Sequence, residues 1–193
     1  MRKLIHIPII HTADDFGSLA SLVKDEYGRV YGRQKWQEHL KAIEDRWRLI
    51  QEKVMHLDLE WERVRLYQDG LPVCGKEQEI AHKIAADGNI NYELLCHLVK
   101  MGGLLEGTED PQLLQQEYRY ILEIGQAKNL DQRDRLIEEY SSAGEKLLSE
   151  RDRFIAKTID QTLRRGETGV LFLGAMHKIA EVLSEDIEIE LFE

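Results

Sequence analysis

Two short apolar runs limit what this chain can fold into. Leu4-Ile5-His6-Ile7-Pro8-Ile9-Ile10-His11 lies near the start, and Val170-Leu171-Phe172-Leu173-Gly174-Ala175-Met176-His177 near the end. Apolar runs of this length, bounded by turn residues, read as buried strands. Each closes on a histidine. The position just past the carboxyl end of a buried strand is where open α/β sheets bind ligands. The two runs therefore point to a sheet covered on both faces, with an imidazole contributed from each end of the chain.

The segments between them set the architecture. Lys3 to Ile10 is the first strand, and Pro8 fits only if that strand is locally an edge or bulged. A polar loop follows, and Ser18 reads as the N-cap of a helix through Leu19, Leu22 and Val23. Trp36, Leu40, Ile43, Trp47, Ile50, Val54, Leu57 and Trp61 alternate in steps of four and three, the signature of one helix face. That stripe is either core-facing or the seam of a homodimer. The period changes to two at Arg63-Val64-Arg65-Leu66-Tyr67, a strand closed by Gln68-Asp69-Gly70.

Ile80, Ile84 and Ala85 mark the next helix. Asn91 reads as the cap of another, through Leu94, Leu95, Leu98 and Val99. Leu104-Leu105-Glu106 is a short third strand. Asp110 followed by Pro111 starts a long helical stretch that runs to Leu163 and breaks near Gly125 and Asn129. Gly169 to Leu173 is a strand, Ile179 to Leu183 a short helix, and Asp186 to Phe192 a final strand with acidic alternate positions. Strands alternating with helices imply a mostly parallel sheet. The expectation is a helix-rich α/β fold, a small sheet with a large helical excursion, in a single domain over residues 1–193.

Charge narrows the partners. The formal net charge is −10, from 26 basic and 36 acidic residues. That excludes the cationic surface on which nonspecific nucleic-acid or anionic-membrane binding depends. Cys74 and Cys96 lack metal-ligand spacing and sit beside apolar residues, so buried free thiols in a reducing compartment are expected. The N-terminal run is too short and too interrupted for a signal peptide. No stretch approaches a membrane span, and a cytoplasmic location is expected.

In a parallel sheet all carboxyl ends emerge on one edge. Here they carry His11-Thr12, Gln68-Asp69, Thr108-Glu109-Asp110 and His177. Imidazoles and carboxylates converging on one crevice are what metal-assisted hydrolysis uses: they ligate a divalent ion, and a spare carboxylate takes a proton from water. His11, Glu109 and His177 are the candidate ligands, for zinc or manganese, and together with Arg151 the candidate catalytic groups. Thr12, Asp69 and Thr108 are candidate substrate contacts, with Arg153. Gly174 and Ala175 leave the backbone open before His177. Arg151 interrupts an apolar helical stripe between Leu147 and Ile155, which marks either a solvated ion pair, a partner for a carboxylate such as Glu109, or an anion site. Asp69 and Asp110 also have ordinary readings, as a turn residue and a helix cap.

The stretch Glu150-Arg151-Asp152-Arg153-Phe154-Ile155-Ala156-Lys157-Thr158-Ile159, followed by Val170 to His177, resembles the superfamily of TraB/PrgY pheromone-shutdown proteins, Tiki proteases, erythromycin-esterase-like proteins and haem-binding ChaN proteins. The likeness covers about a third of the chain. On it, His177 takes the place of the family's G-A-x-H histidine, and Arg151 or Arg153 that of the helix arginine. Ile9-Ile10-His11-Thr12 lacks the glycine of the family's first turn, and Leu66-Tyr67-Gln68-Asp69 replaces its acidic second-strand ending. The resemblance implies a sheet-edge site joining N- and C-terminal histidines, with hydrolase activity in some members and ligand binding in others.

Three functions stay open at this stage. The first is a hydrolase acting on a small molecule or peptide, with a metal as candidate cofactor. The second is a non-catalytic ligand-binding or sensing protein, dimeric through the Trp36–Trp61 helix. The third is a haem or small-ligand binder using His177.

Overall fold

The computed structural model describes residues 1–10 and 32–192. The helix expected after Ser18 lies outside them. Five strands form one all-parallel sheet: β1 (Arg2–Ile9), β2 (Val64–Gln68), β3 (Leu104–Glu106), β4 (Thr168–Gly174) and β5 (Ile187–Leu191), in the order β3-β2-β4-β1-β5. Among the described residues five α-helices accompany them: α1 (Arg33–Met55), α2 (Glu77–Ala86), α3 (Ile90–Lys100), α4 (Pro111–Gly125) and α5 (Leu130–Thr162). The expected helix-rich α/β fold with a parallel sheet is what forms.

Strand parity separates two cores. Ile5, Ile7, Val64, Leu66, Val170 and Phe172 meet α1, α2 and α3 on one face. Leu4, Tyr67, Leu171 and Leu173 meet Ile155, Ile159 and Leu163 on the other. The chain moves β1 to β2 to β3 with its helices on the first face. It then returns through β4 to β5 with its connections on the second. Crossovers of one hand require this change of face when the direction reverses. β4 is thereby inserted between β2 and β1, and strands with oppositely directed connections become neighbours there, which opens a crevice at the carboxyl edge.

The Trp stripe is a core stripe. Ile43, Trp47, Ile50 and Val54 are buried against the first face, and Trp61 is buried in a short 3₁₀ turn beyond the helix. A homodimer through α1 would have to use its other faces or the half-buried Trp36.

Pro8 sits in an interior strand, opposite Leu173 of β4. β5 pairs with β1 only as far as His6, whose carbonyl accepts the Phe192 N–H. Pro8 shares the parity of His6, so its missing N–H falls on the side where β5 has ended. The edge condition read from the sequence is met locally.

Two smaller expectations change. Asn89, not Asn91, caps α3, its side chain accepting from the N–H groups of Asn91 and Tyr92. Cys96 is buried, but Cys74 is exposed in the loop after Pro72. Among the described residues no helix is long and apolar enough to cross a membrane.

Candidate functional site

Three strand ends and one helix build the site. The Asp69 N–H donates to the Phe172 carbonyl at 2.9 Å, extending the β2–β4 ladder by a residue. That places the Asp69 side chain beside the end of β4, where its Oδ2 accepts the Gly174 N–H at 2.8 Å. Beyond β3, residues 107–109 run alongside residues 71–73. Thr108 and Glu109 donate to the Leu71 carbonyl, and the Glu109 carbonyl accepts from Val73. Gly107 permits this approach, since a Cβ there would lie 2.7 Å from Val73 Cα. The paired loops bring Glu109 next to Asp69.

The helix α5 supplies the cation. Leu147, Arg151, Ile155, Ile159 and Leu163 follow one another at single-turn spacing along its sheet-facing side. Ile155 to Leu163 cover the sheet, and Arg151 lies one turn beyond, where the sheet ends and the carboxylates begin. Its guanidinium grips Glu109 with both forks, Nε to Oε2 at 2.9 Å and Nη2 to Oε1 at 2.5 Å. Nη2 also reaches Asp69 Oδ1 at 2.8 Å, and Nη1 reaches Glu117 Oε2 at 2.7 Å. Arg151 is only 6% exposed. Burial disfavours its charge, but the Glu109, Asp69 and Glu117 carboxylates outweigh burial and hold its proton more tightly than usual.

Burial pushes the Glu109 carboxyl up from its ordinary value. Arg151 opposes that shift and the Asp69 charge adds to it. Glu117 in turn accepts the Tyr140 hydroxyl at 3.0 Å. Burial first, then Glu117, pushes the Tyr140 phenol up to about 12.

His177 enters from the turn after β4, which is closed by its N–H to the Gly174 carbonyl at 3.1 Å. Its Nδ1 lies 2.6 Å from Asp152 Oδ1, and the other Asp152 oxygen accepts the Lys178 N–H at 3.0 Å. A carboxylate only accepts, so Nδ1 carries a proton in this contact, and in the neutral ring Nε2 is the nitrogen that keeps the lone pair. Nε2 is directed toward Asp69 Oδ2, 3.6 Å away. Donor atoms of Asp69, Glu109 and His177 all lie within 4.8 Å of one another. Three such ligands can share a divalent ion, which would have to share Glu109 and Asp69 with the Arg151 guanidinium.

Above this floor lies a cavity of about 750 Å³. The amino-terminal half of α5 and the helix α4 extend past the sheet edge as a helical hairpin. Leu114, Tyr118 and Ile121 of α4, with Tyr140 and Leu148 of α5, turn their sides to the cavity. Ile84 and Tyr92 close it from the opposite face of the sheet, and Ile9 and Ile10 from β1. The result is a mainly apolar chamber with a charged floor of Asp69, Glu117, Arg151 and His177.

The structure thus brings together four of the residues singled out by sequence: Asp69, Glu109, Arg151 and His177. His11 and Thr12 lie outside the described residues. Thr108 is fully buried and corrects its expected role as a substrate contact: its hydroxyl accepts the Gln68 N–H and turns toward the Glu106 carbonyl. Arg153 is exposed, one residue around the helix from Asp152, and is absent from the cavity wall. Arg151 is the helix arginine that reaches the site. Its three carboxylate partners leave it no free fork for a substrate anion.

Sequence reasoning missed Asp152, Glu117 and Tyr140. Asp152 carried a readable signal, an acid beside an arginine at a break in an apolar stripe. Glu117 and Tyr140 carried none, because only the folding of α4 back on α5 brings them together.

These features define a class: a three-layer α/β protein with a covered, carboxylate- and histidine-bearing site at the carboxyl edge of its sheet. Comparison with protein-family models, with curated proteins and with solved structures finds no match to this chain.

Proposed function

We propose that this chain is a hydrolase whose general base is His177. The observation that carries the reading is the 2.6 Å contact between His177 and Asp152 at the wall of a large cavity. A carboxylate on Nδ1 fixes the tautomer and stabilises the imidazolium that forms when Nε2 takes a proton from water. Asp69, 3.6 Å from Nε2, adds a second negative charge beside that developing cation. The mainly apolar wall lowers the local dielectric, which strengthens these interactions. Asp152 is the positioning residue and Arg151 holds the acidic floor together.

A divalent metal, zinc or manganese, is the second form of the proposal, in which His177 Nε2 binds the ion and the role of base passes from the histidine to a carboxylate. Asp69, Glu109 and His177 would hold it, with Asp152 as the outer carboxylate that orients the histidine. Such an ion supplies an acidified water as nucleophile. The likeness to the TraB, Tiki and erythromycin-esterase group supports a histidine in the position of His177. His11, next in sequence after the cavity-lining Ile10, is retained as the second histidine.

The test is hydrolysis of nitrophenyl esters and amides by the purified chain. It is run after chelation and again after addition of zinc or manganese. Turnover that falls at least 100-fold in His177→Gln is expected. Absence of turnover in every metal condition, or turnover unaffected by His177→Gln, defeats the proposal. Ligand binding without turnover favours the non-catalytic reading of the same cavity.

A further inference from the structure

We infer that the cavity selects molecules with an apolar body and a cationic, hydrogen-donating head, an organic ammonium being the simplest. The inference deepens the hydrolase reading by naming its substrate class. It rests on three observations that do not depend on catalysis.

The first is charge. Four carboxylates, Asp69, Glu109, Glu117 and Asp152, surround one guanidinium and one imidazole. The floor carries excess negative charge whichever way His177 is protonated. Arg151, the one fixed cation there among the described residues, already bonds three of those carboxylates and is 6% exposed. An anionic head therefore meets repulsion with no free guanidinium to receive it, and in a mainly apolar chamber that repulsion is poorly screened.

The second is an unmet acceptor. Gln68 is 1% exposed and lines the cavity, and its Oε1 has no hydrogen-bond partner among the described residues. The amide orientation is fixed because Nε2 donates to the Asp69 carbonyl at 3.1 Å. A buried acceptor without a donor is costly and leaves uncompensated negative partial charge just beneath the cavity floor, which a cationic head lowers. A carboxylate head raises it.

The third is the wall. Tyr118 and Tyr140 from the hairpin and Tyr92 from the opposite face line the chamber. Aromatic faces attract cations as well as apolar surface. A cavity of about 750 Å³ is of the size that encloses a small organic molecule.

The experiment is calorimetric titration of the full chain with phenylbutylamine, phenylbutanol and phenylbutyrate. These share one apolar body and carry a cationic, a neutral and an anionic head at neutral pH. The amine is expected to bind at least ~10-fold more tightly than the carboxylate, with the alcohol between them. Added salt should narrow the gap. Glu117→Gln should narrow it as well; Glu145→Gln, an exposed wall position with no role in holding Arg151, serves if that variant does not fold. The same titrations on His177→Gln separate the two claims. An amine preference kept in this variant, alongside a wild-type chain that hydrolyses nothing, leaves the cavity inference standing and removes the hydrolase. Equal or tighter binding of the carboxylate, or no binding of any of the three, overturns the inference.

Discussion

Asp152 holds His177 at two points: one carboxylate oxygen lies 2.6 Å from the imidazole Nδ1, and the other accepts the backbone N–H of Lys178 at 3.0 Å. The same side chain thus fixes the ring and the turn that carries it. Asp152→Asn keeps the size but loses the charge and lets the ring adopt the other tautomer. Hydrolysis should fall by about 10²- to 10⁴-fold, with the fall in kcat rather than in KM. The variant should stay folded, with a circular-dichroism spectrum like that of wild type. An unchanged kcat in a folded variant would show that Asp152 is only structural.

Arg151 is the cation that grips Glu109, and it also bonds Asp69 and Glu117. Arg151→Met leaves the buried Glu109 carboxylate without that ion pair, and about 3–5 kcal/mol of stability should be lost. The loss should depend on pH in a defined direction. Burial already raises the Glu109 carboxyl, and removing Arg151 raises it further. A folded-state value above the unfolded one means stability declines as pH rises through that range. The variant should therefore recover stability toward acidic pH, relative to wild type, in urea titrations. A deficit independent of pH would contradict this account of the cluster.

His6 should make the wild-type chain acid-sensitive. Its imidazole lies on the α5 side of β1, and its Nε2 has no partner among the described residues. Burial first, then the neighbouring His177, holds it below its ordinary value of 6.5. The unfolded chain takes up the proton first, so stability is complete above about pH 6.5 and declines as pH falls below it. Urea midpoints measured across that range should show a shallower decline in His6→Leu. An unchanged slope would assign the acid sensitivity elsewhere.

The two thiols should differ in reactivity. Cys74 is exposed and Cys96 is buried, with burial raising its thiol. Native protein should react with one equivalent of a thiol reagent at Cys74. The second should react only after unfolding. Two fast equivalents in the native state would mean that α3 does not pack as described.

Gly107 tests the loop pairing that carries Glu109. A Cβ at this position meets Val73 Cα at 2.7 Å and the Pro72 carbonyl at 3.0 Å, both main-chain atoms that cannot swing aside. Gly107→Ala should cost about 1–3 kcal/mol. It should lower hydrolysis more than its stability loss explains, because Glu109 moves with the loop. Full activity in a folded variant would show that Glu109 tolerates displacement.

Period made the strands legible: Lys3 to Ile10 and Gly169 to Leu173 hold short apolar runs that a sheet covered on both faces buries, and Arg63 to Tyr67 shows a period of two. The cap at Asp110-Pro111 and the break between Gly125 and Asn129 are local chemistry, and both form where the residues place them. Arg151 was legible as an anomaly, a charge inside an apolar stripe, but its pairing with Glu109 was one of three open readings that only the structure separates.

What local sequence could not supply was which surfaces meet. Thr108 looks like a site residue because it follows a strand, yet the pairing of loops 71–73 and 107–109 turns its hydroxyl into the backbone. Arg153 and Asp152 are neighbours in sequence, but one helical residue rotates the first into solvent and the second onto His177. Glu117 and Tyr140 meet only because α4 folds back along α5. Residue type and spacing by themselves determined the strands, the cap at Asp110 and the presence of an acid–histidine–arginine set. The crossover order that sets β4 between β2 and β1, and the length of α5 that carries Arg151 to the sheet edge, decided which members of that set share a site. Convergence of side chains more than 80 residues apart, as Asp69 and Arg151 are, is a property of packing and leaves no periodic trace in the chain.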